Sequence, residues 1–362
     1  MGVKWSWAFG PETTLELVEM GWTFGSVGNE HVNYPVTTPV YTYPGSPTRY
    51  SYSVANAWSY RLTAPPKVLN NKGCVSVPFY WDNTFSEWYD YFSAIKINLP
   101  GVENIAVFPN NAGTNTLRMV LGGTEGVDAT IPLNQWNYIS ITYDMSSTTW
   151  GAAWYVNGTL IQSGTKTGMT AVPDASSDQL QLSFSPGFCI NNGSYMGQII
   201  VYDDVADAAE VPWKFVSRIE PVEDAPAVTT GIWTPSSGLS NFAVLDLPWS
   251  TGSYTTNTGS ADGDKVTVLL TGSGTPGMGG IPSQIGIVPT NISGITVHGW
   301  ASGSGQDGFV GLASDINTFN MITGAHGQPS IGVPTYCFST ATGSAIGSWE
   351  ASSSVYMKYE VT

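Results

Sequence analysis

Carboxylates are the side chains of this sequence that could do acid–base chemistry or hold a cation. They gather where the sequence predicts turns, in three clusters: Asp203, Asp204, Asp207 and Glu210; Glu220, Glu223 and Asp224; Asp262 and Asp264. A calcium site is one interpretation, because calcium binds several carboxylate and carbonyl oxygens. No D-x-D-x-D-G loop occurs in the sequence, and solvated turns are the interpretation we favour.

Histidine and cysteine could supply a metal ligand, a base or a nucleophile. The histidines lie far apart and none has metal-ligand spacing to a second His or Cys: His31, His298 and His326. Sequence distance alone does not exclude a Ser-His-Asp triad, but no G-x-S-x-G elbow is present. The cysteines form an odd, widely spaced set without C-x-x-C: Cys74, Cys189 and Cys337. That set argues against a disulfide framework and against zinc, and we predict three small core residues.

One glycine motif matches the sequence pattern of a phosphate-binding loop but lacks the structural context that such a loop needs. Residues 272–277 read G-S-G-T-P-G after a predicted strand. A dinucleotide site needs a helix N-terminus directly after the glycines, to hold the pyrophosphate. Pro276, Pro282 and the glycines between them prevent that helix, so we predict a loop. We therefore predict no catalytic, cofactor-binding or metal-binding residue and no cofactor.

The elements around these residues are β-strands, and residues 131–202 predict them most clearly. In Trp136–Tyr143, alternation places Asn137, Ile139, Ile141 and Tyr143 on one face. Asn157-Gly158 separates two β-prone runs, which predicts a two-residue hairpin with positive φ at both turn residues. Residues 179–184 and 197–202 predict two further strands, the second with the continuous apolar run of a buried strand.

This series resembles the laminin-G-like, or concanavalin A-like lectin/glucanase, family of jelly-roll sandwiches. The resemblance rests on residues 136–144, on the hairpin at 154–161, and on 197–203 followed by a short acidic and Ala-rich turn. It implies a two-sheet antiparallel sandwich for the N-terminal part. It says little about activity, since one sandwich carries lectins, hydrolases and packing modules. Retaining laminarinase-like members have an E-x-D-x-x-E strand, and that pattern is not found here.

Composition excludes several classes of protein. Charged residues are 11% of the chain, against about 25% in a typical globular domain. The net charge is −15 and no Lys/Arg cluster exists, so we expect no nucleic-acid partner and no anionic membrane surface. The sequence has no run of about 18 apolar residues, so it predicts no membrane-spanning helix. Abundant Gly, Pro, Ser, Thr and Asn predict an all-β chain.

The N-terminus predicts a strand instead of a signal peptide. Val3, Trp5, Trp7 and Phe9 alternate with polar or small residues, and no apolar stretch of 7–15 residues follows Lys4. We therefore expect synthesis and folding in a cytoplasm. A two-turn helix is predicted over 13–20, with capping-box spacing at its start and Gly21 at the C′ position.

Aromatic residues are dense in the proline-rich stretch Asn33–Pro66, which predicts long loops and edge strands. A packed flap over the sheet is the interpretation we favour. A stacking platform for a sugar or a partner protein is the alternative. Further strands are predicted around 75–79, at 94–99 and at 117–121, the last ending at the Gly122-Gly123 turn.

Residues 220–227 combine acidic residues with proline and predict a linker. We therefore predict two domains, a concanavalin A-like jelly roll over 1–222 and a smaller β-sandwich or barrel over 223–362. Strands of the second domain are predicted at 265–270, 285–288, 294–301, 309–313 and 354–361.

The function expected from these features is structural. We expect a non-enzymatic protein on the outside of a virus particle, a capsid decoration or head-fibre component of a phage. It would self-associate, for example as a trimer, and dock to other virion proteins. The alternative is a phage tail fibre, adhesin or carbohydrate-binding module that recognises a host surface glycan, and a polysaccharide-degrading enzyme ranks third.

Overall fold

The chain is all-β, and its N-terminal part is a jelly-roll sandwich of two antiparallel sheets, as the sequence predicts. The structure, a computed structural model, describes residues 3–7, 17–18, 20–26, 52–53, 60–82, 85, 93–102, 104–110, 114–173, 179–185 and 194–203 of the first part. In the second part it describes strand backbones at 223–224, 233–235, 255–257, 265–271, 294–301, 308–313, 321–327, 335–342 and 355–361. Contacts divide the chain into two compact units, Met1–Val216 and Ser217–Thr362. The boundary after residue 222 stays a prediction.

Fifteen strands are described in the first unit. They are β1 (Val3–Trp7), β2 (Thr23–Ser26), β3 (Tyr52–Ser53), β4 (Tyr60–Thr63), β5 (Lys72–Trp81), β6 (Ile95–Asn98), β7 (Asn104–Pro109), β8 (Thr116–Leu121), β9 (Thr124–Thr130), β10 (Gln135–Asp144), β11 (Thr149–Val156), β12 (Thr159–Thr167), β13 (Gln181–Phe184), β14 (Ser194–Met196) and β15 (Ile199–Tyr202).

Sheet A has the order β1-β15-β5-β10-β11-β12, with the short β14 pairing β5 and β3. Its centre is the ten-residue ladder between β5 and β10, from Trp81 opposite Gln135 to Lys72 opposite Asp144. Trp136 to Tyr143 are all buried, on both faces of the strand. One face of β10 meets the core between the sheets, and the other carries the buried Trp136 and Tyr138.

Proline occurs in the central strand β5, where a missing N–H normally breaks a ladder. Pro78 lies where the strand that pairs with β5 changes from β14 to β15. Met196 of β14 lies opposite Phe79, and Ile200 of β15 lies opposite Ser76. Its carbonyl oxygen accepts the N–H of Gly197 at 2.9 Å. The missing donor therefore falls where the neighbouring strand is interrupted.

Sheet B has the order β2-β4-β13-β6-β7-β8-β9. Strand β6 alternates between buried and half-buried residues, as predicted. Apolar side chains of sheet B that are at most 2% exposed form its side of the core: Leu62, Ile95, Ile97, Ile105, Val107, Leu117, Met119, Leu182 and Phe184. Sheet A contributes Trp5, Val75, Val77, Phe79, Ile139, Ile141 and Trp154, each fully buried.

Strand β4 corrects part of the expectation for Asn33–Pro66. It is an interior strand that pairs with β2 and β13, not an edge strand. Pro65 and Pro66 do not interrupt the hydrogen bonds of β4, because they follow the strand. The rest of the predicted aromatic flap, apart from β3, lies outside the described residues.

Two turn predictions are confirmed by backbone geometry. Asn157 and Gly158 have φ of 52° and 79° and join β11 to β12 in two residues. Gly21 has φ of 77°, its N–H donates to the Val18 carbonyl, and the Trp22 N–H donates to the Leu17 carbonyl. This is a Schellman motif with Gly21 at C′. Of the predicted helix, only residues 17, 18 and 20 are described.

The second unit contains nine described strands. They are β16 (Glu223–Asp224), β17 (Trp233–Pro235), β18 (Thr255–Asn257), β19 (Lys265–Thr271), β20 (Gly294–Ala301), β21 (Gly308–Ala313), β22 (Met321–Gly327), β23 (Thr335–Thr342) and β24 (Val355–Val361). They form a five-stranded sheet, β16-β19-β24-β21-β22, and the pairs β17-β18 and β20-β23. Four of the five strands predicted here are confirmed, and 285–288 lies outside the described residues.

Candidate functional site

The face of sheet A that points away from sheet B carries two aromatic clusters. In the first, Tyr138, Tyr202, Cys74, Ile200 and Val3 are buried together and Tyr155 packs against them half-buried. These residues come from five neighbouring strands, and the antiparallel registers place them on one face. The cluster is a second core, not an open platform.

The second cluster lies farther along the same face. Tyr80 meets Trp136 edge-on with ring centroids 5.8 Å apart, and it meets Tyr195 edge-on at 5.9 Å. Such T-shaped contacts are a favoured geometry for aromatic pairs. Tyr80 and Trp136 are buried, whereas Tyr195 is only partly buried. Tyr155 and Tyr195 are therefore the described members of the two clusters that solvent reaches.

A polar chain crosses the first cluster but contains no reactive nucleophile. Ser76 Oγ donates to Ser140 Oγ at 2.7 Å, and Cys74 Sγ lies 3.7 Å from Ser76 Oγ. Burial raises the pKa of the Cys74 thiol to about 12, with the Ser76 hydrogen bond acting in the opposite direction. The thiolate is the nucleophilic form of cysteine, so a thiol that stays protonated is inert. Cys74 is free and buried, which confirms the core prediction for this cysteine.

Charged residues with known partners gather on the outer face of sheet B. The Arg118 guanidinium donates through Nε to Asp128 at 2.7 Å and through Nη1 to Glu125. Asn110 Nδ2 donates to the second Asp128 oxygen at 2.7 Å. The two carboxylates raise the pKa of Arg118, chiefly through the Asp128 hydrogen bond. Both carboxylates are thus held in ion pairs between β8 and β9, and their positions suit a structural role.

The last strands of the two sheets lie side by side, and we call β9 and β12 together the edge surface. Val127 N–H donates to the Gln162 side-chain oxygen at 2.9 Å, and Lys166 Nζ donates to Thr124 Oγ1 at 3.0 Å. Gly126 lets the Gln162 amide approach, because a Cβ at this position would collide with it.

The edge surface is exposed along most of its length. Within the described residues, four large hydrophobic side chains are exposed, and two of them are here: Val127 at 54% and Leu160 at 50%. Glu125 and Asp128 of β9 are both paired with Arg118 of the neighbouring β8, and β12 carries one charged residue, Lys166. An exposed edge strand presents backbone donors and acceptors to other chains. This is the candidate functional site.

Most residues considered for chemistry lie outside the described part of the chain. This holds for His31, Cys189, the 272–277 loop, and all carboxylates of the three acidic clusters except Asp203, Glu223 and Asp224. His298, His326 and Cys337 lie on described strands, β20, β22 and β23. Among the residues whose placement is described, no group of three or more His, Cys, Asp or Glu could hold a metal ion. In that same part, no helix is long and apolar enough to cross a membrane.

Sequence patterns missed the edge surface. Strand β9 reads T-E-G-V-D-A-T, with neither apolar alternation nor an apolar run. Of β12, only the three residues after the Asn-Gly turn were predicted, although the strand continues to Thr167. The threonines of both strands, with their β-propensity, are the one signal that could have indicated them.

No protein-family model and no curated protein matches the sequence. Solved structures with a similar fold include domain 4 of a GH43 extracellular arabinanase from Geobacillus stearothermophilus, in complex with arabinotriose. That match has 11% identity and a TM-score of 0.38, and it covers 57% of this chain and 96% of that one.

Two further structures are similar at the same level. The CBM40 of a Ruminococcus gnavus sialidase, bound to α2,3-sialyllactose, matches with 13% identity and a TM-score of 0.28 over 44% of this chain and 95% of that one. A carbohydrate esterase from the Shiga toxin-encoding bacteriophage phi24B matches with 12% identity and a TM-score of 0.32 over 56% of this chain and 98% of that one. All three TM-scores are below 0.5.

Proposed function

We propose that this chain is a non-enzymatic structural protein on the outside of a virus particle, a capsid decoration or head-fibre component that works by docking to other proteins. The observation that carries the proposal is the edge surface. It combines the exposed backbone edge of β12, two exposed apolar side chains, and carboxylates that are paired with Arg118, in a chain of net charge −15. Such a surface can approach another protein without the repulsion that the acidic remainder would cause.

The chemistry of the described residues supports a non-enzymatic role. Glu125 and Asp128 are ion-paired with Arg118, so neither is placed as an isolated acid or base. Cys74 is buried and its pKa is raised to about 12, so it stays a thiol at neutral pH. The N-terminal unit is proposed as a laminin-G-like sandwich, on the strength of residues 136–144, 154–161 and 197–203.

Electron microscopy of virus particles from the source lysate tests the proposal. Particles are labelled with gold-conjugated antibody to this chain, and pre-immune antibody serves as the control. Label scattered over the head is the expected result. Label confined to the tail tip would instead favour an adhesin, and particles without label would overturn the virion proposal.

A glycan-binding module is the second candidate, favoured by the two half-buried tyrosines Tyr155 and Tyr195 beside the aromatic clusters. Aromatic rings of this kind can stack on sugars while their hydroxyls remain wet. A glycan array with the purified chain tests whether it binds glycans. Binding that Tyr195→Ala abolishes and Tyr195→Phe retains would support it, and an array without saturable binding would exclude it for the glycans tested.

A further inference from the structure

We infer that β12 is a self-association strand, through which two copies of this chain pair antiparallel about a two-fold axis at Thr165. The inference rests on the proposed docking function and deepens it by naming the surface and the partner.

Strand β9 is already protected against an added strand. Its ladder with β8 shifts register between Arg118 and Val120, which is the irregularity of a β-bulge. The N–H of Val127 beside that bulge is taken by Gln162. Bulges and occupied donors are ways in which proteins close a sheet edge to pairing.

Strand β12 is open over its second half. Residues Gln162–Thr167 pair with β11 in unbroken register, from Trp154 opposite Gln162 to Thr149 opposite Thr167. In the described part of the chain, β12 has no strand on its other side. Lys166 directs its ammonium group to Thr124 on β9. The positive charge of Lys166 therefore lies on the side of β12 that faces sheet B.

The charge distribution indicates a second copy as the partner. Two copies of a chain with net charge −15 repel each other over most of their surface. Strand β12 has no carboxylate, and the two carboxylates of β9 are paired with Arg118. Two copies can therefore approach along this edge without bringing unpaired carboxylates together.

The side chains of β12 are compatible with pairing to themselves. Ser163, Thr165 and Thr167 are exposed and share one face, because alternate residues of a strand do so. An antiparallel pair centred on Thr165 places Thr165 opposite Thr165 and Ser163 opposite Thr167, which are favourable hydroxyl pairs. Lys166 then faces Gly164, so no like charges meet. A two-fold contact of this kind closes as a dimer and does not propagate into fibres.

Sedimentation equilibrium of the full chain over a range of concentrations tests the inference. The wild-type chain should show a monomer–dimer equilibrium. Thr165→Glu and Thr165→Lys should each weaken the dimer at least about tenfold, because each places like charges opposite one another. An equimolar mixture of the two variants should restore dimerisation, because opposite charges then meet at the axis.

Val102→Glu is the matched control, since Val102 is an exposed apolar residue of a turn outside β9 and β12. It adds the same charge and should leave the dimer unchanged. A wild-type chain that is monomeric throughout, a trimer, or variants that the mixture does not restore would overturn the inference. Particle labelling is scored separately, so a labelled particle with a monomeric chain removes only the self-association, and a dimer without particle label removes only the virion role.

Discussion

At the scale of single residues, close packing in sheet A makes one glycine indispensable. A Cβ at Gly73 would collide with the Tyr202 backbone carbonyl and lie 3.1 Å from the Tyr143 hydroxyl oxygen. Backbone atoms of a central strand cannot move aside cheaply. We expect Gly73→Ala to lower the free energy of unfolding by about 2–3 kcal/mol, measured by urea denaturation.

Gly151→Ala is the matched control for Gly73. It lies in β11 of the same sheet, and a Cβ there would meet nothing within 4 Å. Its effect should stay within about 0.5 kcal/mol. Equal losses for the two variants would contradict the steric explanation.

Cys74 makes a second residue-scale prediction, on alkaline stability. Its pKa is about 12 in the fold against 9.0 ordinarily, because burial disfavours the thiolate. Above pH 9 the unfolded chain therefore releases a proton that the folded chain keeps. The contribution of the Cys74 thiol to the free energy of unfolding is therefore fully present below pH 9, and it decreases as the pH rises toward 12.

Urea denaturation at pH 8 and pH 10 measures this decline. The wild-type chain should lose more stability between the two values than Cys74→Ala, which lacks the group. Burial also raises the pKa of Tyr143 and Tyr202 above its ordinary value of 10.0. Both proteins contain these tyrosines, so their ionisation in the unfolded chain lowers stability equally in the two and does not enter the difference. Identical pH dependence in both proteins would show that Cys74 does not titrate as described.

At the scale of elements, the β11–β12 hairpin depends on its turn. Asn157 has φ of 52°, its Oδ1 accepts the Tyr138 N–H at 2.8 Å, and its Nδ2 donates to Asn137 Oδ1 at 3.3 Å. The turn thus holds β10 as well as its own hairpin. Asn157→Ala should cost about 2 kcal/mol of unfolding free energy, from the strained φ and the lost hydrogen bonds.

Asn157→Gly separates the two contributions. Glycine accepts positive φ without cost but provides no amide, so its loss should be smaller than that of alanine. The comparison uses denaturant midpoints of the full chain. An alanine variant as stable as the wild type would refute the role of the turn.

At the scale of the whole molecule, the first unit should fold alone. In the described residues, every strand of sheets A and B comes from residues 3–202, and no strand of the second unit joins them. Residues 1–222, expressed as a fragment, should therefore unfold in one cooperative transition and keep the near-ultraviolet circular dichroism of packed tryptophans. A fragment without a cooperative transition would mean that the first unit needs residues beyond 222.

Local rules account for the parts of this protein that the sequence predicted. Alternation identified β1 and β6, the apolar run identified β15, and positive φ at Asn157, Gly158 and Gly21 followed from residue type. Each depends on neighbours a few residues away, so the sequence by itself determines them. The number of strands predicted in this way indicates the all-β class and the two-sheet sandwich.

Only the tertiary structure decided which strands became neighbours and which became edges. Strand β9 meets β12 through Val127 and Gln162, 35 residues apart in sequence, and no local pattern encodes that contact. Edge strands also lack the alternation that marks core strands, because neither face needs to be fully buried. The candidate site was therefore invisible in the sequence, since it consists of the strands that sheet packing leaves at the margin.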